Sequence, residues 1–111
     1  MLTLEKLKQF GADTGDGLAR CMNNEEFYLK MVNMGLADER FEALGSVLEA
    51  GDKAAAFEMA HALKGVLGNL ALTPLYEPFS EMTELLRAGK DADYVSMYKK
   101  TMEQRKTLMN M

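Results

Sequence analysis

The amino-acid sequence predicts an all-α fold: an up-down-up-down antiparallel four-helix bundle, with one or two short N-terminal helices covering one end. Three observations carry that expectation. The 111 residues include sixteen Leu, thirteen Ala and ten Met against four Val and no Ile, and unbranched side chains favour helices where β-branched ones favour strands. Apolar residues recur at helical spacing through most of the chain. Glycines and capping residues fall between those stretches and leave short connections, which makes neighbouring helices antiparallel.

Taken in order, Thr3 is placed to cap a short helix from Leu4 to Phe10 that Gly11 ends. GADTGDG, residues 11–17, is the one glycine-rich stretch and reads as a flexible turn, so residues 1–16 are expected to be a short helix and a linker. Asp13 and Asp16 faintly resemble a calcium-binding loop, but Gly15, Gly17 and Asn24 stand where oxygen ligands and a closing Glu are needed. A short helix over residues 17–22 follows. Asn23, three residues before Glu26, makes an Asn variant of the capping box and opens a helix over 24–37. Asp38 starts another, with Phe41, Leu44, Val47 and Leu48 on one stripe and Gly51 at its end.

Asp52 caps a helix over 53–72. Thr73 caps the next and Pro74 takes its first position, with Leu75, Phe79, Met82, Leu85 and Leu86 facing inward as far as Gly89. Pro78 lies one turn in, where it should kink the helix or delay its start. Asp91 or Asp93 caps the last helix, whose inner side carries Tyr94, Met97, Tyr98, Thr101, Met102, Leu108 and Met109. The whole chain, 1–111, reads as one domain, large enough for a core without staples.

Composition excludes several functions. One cysteine, Cys21, rules out an internal disulfide, and Cys21 with His61 is too little for structural zinc. A net charge of −4 with scattered acidic residues argues against nucleic acid. Glu5, Lys6 and Lys8 interrupt the place where a signal peptide needs an apolar run, and no stretch approaches the roughly 20 apolar residues of a membrane span. The expectation is a cytoplasmic, mostly monomeric protein without cofactor or metal. Cys21 should be a small buried residue, and the methionines mostly core filler, with some lending adaptability to a docking face.

The helix over 53–72 departs from its neighbours. Counting about 100° per residue from His61, the residues Ala56, Met59, Leu63, Val66, Leu67 and Leu70 fall within about 140–240°, a stripe for the core. His61, the only histidine, lies opposite. Within about 60° of it lie Ala54, Phe57, Glu58, Lys64, Gly65, Gly68 and Leu72. Each glycine inside a helix costs about 1 kcal/mol relative to Ala, and both share the histidine's face. There they clear bulk so that another molecule can approach the imidazole. Lys64 puts a cation within reach of anything attached to the ring, and Phe57 and Glu58 are candidate docking contacts.

An imidazole in water is substantially neutral near pH 7 and nucleophilic, so it can accept a phosphoryl group. No phosphate loop, carboxylate cluster or general base is visible beside it. A partner must therefore supply metal and electrophile.

His61-Ala62-Leu63-Lys64-Gly65, followed by Gly68-Asn69-Leu70, resembles the His-x-Leu-Lys-Gly signature of histidine-containing phosphotransfer (HPt) domains. Residues 17–22, Glu26-Phe27-Tyr28-Leu29 and Ala50-Gly51-Asp52 agree with the flanks of that pattern. The resemblance spans roughly residues 15–109 and implies a four-helix bundle. It implies that His61 takes phosphate from a phospho-aspartate on a response-regulator receiver domain, or from a hybrid histidine kinase, and passes it on. Lys64 would be the phosphate-stabilising cation, with Gly65 and Gly68 as docking floor. Mg²⁺ and most catalytic groups would belong to the receiver, leaving this chain a carrier without kinase machinery of its own. The sequence departs from the family at Ala71, where a glycine is common, at Gly35, where a late aromatic is often found, and at Pro78.

Rival readings fit less well. The phosphoacceptor domain of a histidine kinase usually has an acidic residue and a proline where Ala62 and Val66 stand. A nucleic-acid KH module, suggested by Lys64-Gly65-Val66-Leu67-Gly68, needs a sheet and basic surroundings. A bundle that binds receivers or other proteins without phosphotransfer is the remaining alternative, against which His61 and Lys64 both stand. A lone helical histidine is ordinarily a plain surface residue; Lys64 and two glycines on its face reverse that expectation. Met1 and the lack of a terminal linker favour a stand-alone protein.

Overall fold

A computed structural model describes all 111 residues. Seven helices make up its regular structure: α1 (Leu4–Phe10), α2 (Thr14–Arg20), α3 (Glu25–Leu36), α4 (Arg40–Glu49), α5 (Lys53–Asn69), α6 (Thr73–Arg87) and α7 (Tyr94–Met109). The all-helical fold that the composition predicts is what forms. No helix is long and apolar enough to cross a membrane.

Helices α4 to α7 close a ring. α4 packs on α5, α5 on α6, α6 on α7, and α7 returns to α4. Inside the ring Phe41 and Phe79 meet edge to face at 5.8 Å, surrounded by buried Leu44, Leu63, Leu67, Leu75 and Met82. The Arg105 guanidinium lies 4.5 Å above the Phe41 ring, and its Nε donates to the Leu36 carbonyl at 2.8 Å. One side chain thus ties the end of α3 to α7. The apolar stripes read from α4 and α6 are buried or half-buried as expected. On α7 the stripe holds through Leu108, but Met109, the last residue of the helix, is exposed.

The N-terminal region corrects the expected linker. Asp13 accepts the Asp16 amide at 3.1 Å and starts α2 at Thr14, so residues 14–17 are helical and only residues 11–13 connect α1 to α2. A small local cap outweighs the glycine content of the segment. Gly17 is buried within α2 because the Tyr28 ring occupies the space its side chain would need. Tyr28, itself buried, donates from Oη to the Leu70 carbonyl at 2.8 Å and fixes α3 to the end of α5.

Several boundaries shift by a residue or more. Asn24, not Asn23, caps α3 by accepting the Phe27 amide at 3.0 Å, while Met22 and Asn23 take left-handed backbone angles in the preceding turn. Asp38 acts at the start of α4 by accepting the Arg40 amide at 2.9 Å. Asp52 caps α5 as expected, accepting from Ala55 at 3.1 Å. α5 stops at Asn69 rather than near 72, because Ala71 adopts φ +57°. That conformation suits glycine better than alanine. Thr73 is the first residue of α6 instead of its cap, and its side chain makes no capping bond. The helix runs unbroken through Pro78, so its start is not delayed. Asp93 caps α7, whereas Asp91 pairs with Lys53 at 2.6 Å.

Candidate functional site

The site stands on α5, and the rotation of that helix decides its character. Counting about 100° per residue from His61, the buried residues Ala56, Ala60, Leu63, Leu67 and Leu70 centre near 220°. The sequence pattern placed the stripe about 30° away, with Ala60 outside it and Met59 and Val66 inside. Met59 and Val66 are only half-buried and Ala60 is fully buried. Small side chains at 56 and 60 can sit deepest against a neighbour, whereas the larger ones settle at the margin. His61 stays on the outer face and is exposed.

That rotation makes the two flanks of His61 unequal. On one, at about −20° to −60° on the wheel, lie Gly68, Phe57 and Lys64, and all three meet α6. The Phe57 ring stacks on the imidazole with 5.7 Å between centroids and 13° between planes. Its spacing of four residues from His61 makes the two side chains neighbours on the helix surface. Arg87 of α6 holds its guanidinium 5.0 Å from the Phe57 centroid. Phe57, expected as a docking contact, is half-buried and supports the histidine ring.

Lys64 is also drawn toward α6. Its side chain is 22% exposed and its Nζ lies 3.7 Å from Glu84 Oε1, while Glu84 Oε2 lies 3.4 Å from Arg87 Nε. Gly68 belongs to this flank as well. A Cβ built there would stand 3.2 Å from the Tyr76 ring of α6, so its bareness eases the packing of α5 on α6.

The other flank, at about +40° to +60°, holds Gly65 and Glu58. Nothing lies within 4 Å of a Cβ built on Gly65, and Glu58 is exposed. Here the missing side chain creates free space beside the imidazole. Further round, α3 closes over the end of α5. A Cβ on Gly35 would fall 2.5 Å from Leu70 Cδ1 and 3.2 Å from Val66 Cγ1, so the bare glycine lets α3 lie close.

Sequence reading missed two sets of residues. Glu84, Arg87 and Tyr76 come to the site from α6, and only the packing reveals which α6 residues turn toward α5. On α3, Phe27 and Met34 are 42% and 59% exposed, and Met31 between them is half-buried. They border shallow grooves shared with Asn69 and Leu70 at the end of α5. The signal was present: residues 27, 31 and 34 form an apolar stripe separate from the buried Tyr28, Val32 and Leu36. One helix with two apolar stripes has one left to meet something else.

Cys21 is buried as expected. No three His, Cys, Asp or Glu side chains are grouped to hold a metal ion. The arrangement can present a nucleophilic imidazole, offer cations on one side and admit a large partner on the other. A family model described as Hpt domain matches residues 34–109, which takes in the whole ring from α4 to α7. No curated protein and no solved structure matches the chain.

Proposed function

The chain belongs to the Hpt domain family, and from that premise we propose that it is a phosphorelay carrier with His61 as its phosphoacceptor. A nitrogen of the imidazole attacks the phosphorus of an aspartyl phosphate on a receiver domain. The N–P bond forms as the bond to the carboxylate oxygen breaks, the carboxylate leaves with the electron pair, and the ring releases a proton to water. Transfer to a second receiver reverses these steps. Lys64 offsets the phosphoryl charge, and Gly65 leaves room for the receiver to bring its phosphate to the ring. The receiver supplies Mg²⁺ and the groups that activate the acyl phosphate.

One observation carries this reading: His61 is exposed on α5 beside an open Gly65, with Lys64 on the same face. The strip of exposed Phe27 and Met34 with half-buried Met31 between them extends that face and gives the receiver an adaptable apolar contact. Connections as short as residues 50–52 and 70–72 support an up-down-up-down course for the four ring helices. The protein acts in the cytoplasm as a monomer, without ATP-binding machinery of its own.

Incubation with a radiolabelled phospho-receiver tests the proposal. The chain should acquire label that is lost in acid and kept in base, and His61→Gln should acquire none. If His61→Gln took up as much label as the parent, the acceptor assignment would be wrong. Stable receiver binding with no label transferred would favour the interaction-module alternative.

A further inference from the structure

Both cations on the closed flank of His61 lean on one carboxylate. Glu84 Oε1 faces Lys64 Nζ at 3.7 Å, and Glu84 Oε2 faces Arg87 Nε at 3.4 Å. Arg87 also lies over Phe57, the ring that stacks on His61. The three charged groups and the two rings therefore form one contiguous cluster linking α5 and α6. Arg87 and Glu84 are about half exposed, and ion pairs at such places are weak and readily exchanged.

We propose that Glu84 is a positioning residue that holds Lys64 and Arg87 ready for the phosphoryl group and yields them to it when His61 is phosphorylated. The inference rests on His61 being the acceptor. A phosphoryl group carries a charge of about −1.5 to −2 with three acceptor oxygens, so it outcompetes a single exposed carboxylate for both cations. Glu84 then remains beside the adduct as a like charge. It weakens the hold of the cations and keeps the phosphoryl group transferable. Lys64 and Arg87 alone would grip the dianion more firmly. Arg87 becomes the second cation of the site, reached from α6.

The test needs no receiver. Phosphoramidate gives its phosphoryl group to an imidazole nitrogen as ammonia leaves with the P–N electron pair. Hydrolysis then follows: water attacks phosphorus, the N–P bond breaks, and the ring nitrogen recovers its electron pair and takes up a proton. The half-life of the adduct on the full chain is read by ³¹P NMR. Glu84→Gln should lengthen it about threefold and steepen its fall with added salt, because the attraction left to be screened is larger, with the melting temperature unchanged. Arg87→Gln should shorten it, and in Glu84→Gln/Arg87→Gln most of the gain should vanish, a coupling that independent surface residues do not show. Equal or shorter half-life in Glu84→Gln overturns the proposal, as does an undiminished gain in the double variant. Failure of receiver transfer with these effects intact would refute the phosphorelay reading alone.

Discussion

Phe57 and Gly65 sit at mirror positions about His61, near −40° and +40° on the wheel of α5, yet the fold treats their two sides oppositely. Toward α6, the histidine meets a stacked ring, two cations with a shared carboxylate, and a glycine filled by Tyr76. Away from α6 there is open space over Gly65, leading to the apolar strip on α3. The closed side can position the ring and manage charge; the open side can receive another molecule. A histidine that takes its phosphoryl group from another protein, as proposed for His61, needs both, and a single helix face supplies them because α5 leans against α6 on one side only.

The sharpest way to break this comparison is to disturb how α3 frames the open side. Gly35→Leu forces atoms into the space held by Leu70 and Val66. Overpacking of this kind should cost about 2 kcal/mol in urea-melt stability. An unchanged midpoint would mean that α3 does not lie closely on α5.

A smaller effect is expected at Tyr28, which pins α3 to the Leu70 carbonyl. Tyr28→Phe should cost about 1 kcal/mol at pH 7 by leaving that carbonyl with one partner fewer. Burial, chiefly, pushes the Tyr28 phenol from 10.0 up to about 12, with Cys21, Asp13 and Asp16 adding to it. Because the folded value lies above the unfolded one, this contribution is complete below pH 10 and is lost as the pH rises toward 12. Melts of parent and Tyr28→Phe between pH 9 and 12 should therefore converge with rising pH. Parallel curves would contradict the assignment.

The smallest effect sharpens the contrast between the two helical glycines. Gly65→Ala adds helix propensity in free space and should stabilise by about 0.5–1 kcal/mol. Gly68→Ala places its methyl 3.2 Å from Tyr76 and should gain clearly less. Equal gains by thermal melting would mean that the two positions are not different after all.

Much of this was legible in the chain. The ring helices announce themselves through long apolar stripes, and Asp52 and the Gly51 turn mark the start of the site helix. That His61 and Gly65 lie on the outer face of α5 was readable from the helical spacing, and the structure leaves His61 exposed and Gly65 without a neighbour within 4 Å. The unequal flanks were not readable. A helical wheel is symmetric about His61, and only tertiary packing tells which side α6 covers. Glu84 and Arg87 went unseen for that reason. Near the N-terminus the error was of another kind. Glycine content in residues 11–17 suggested flexibility, but the Asp13 cap and the Tyr28 ring lying on Gly17 make helix there.

The central claim is that chemistry belongs to His61 and its α6 side, while access for a receiver belongs to the open side. Gly65→Glu tests it directly, with phosphoryl uptake measured from phosphoramidate and from a phosphorylated receiver in parallel. The small donor should label the variant at close to the parental rate, whereas transfer from the receiver should fall by about 100-fold or more, equivalent to about 2.7 kcal/mol. Receiver transfer at the parental rate, or equal loss with both donors, would contradict it.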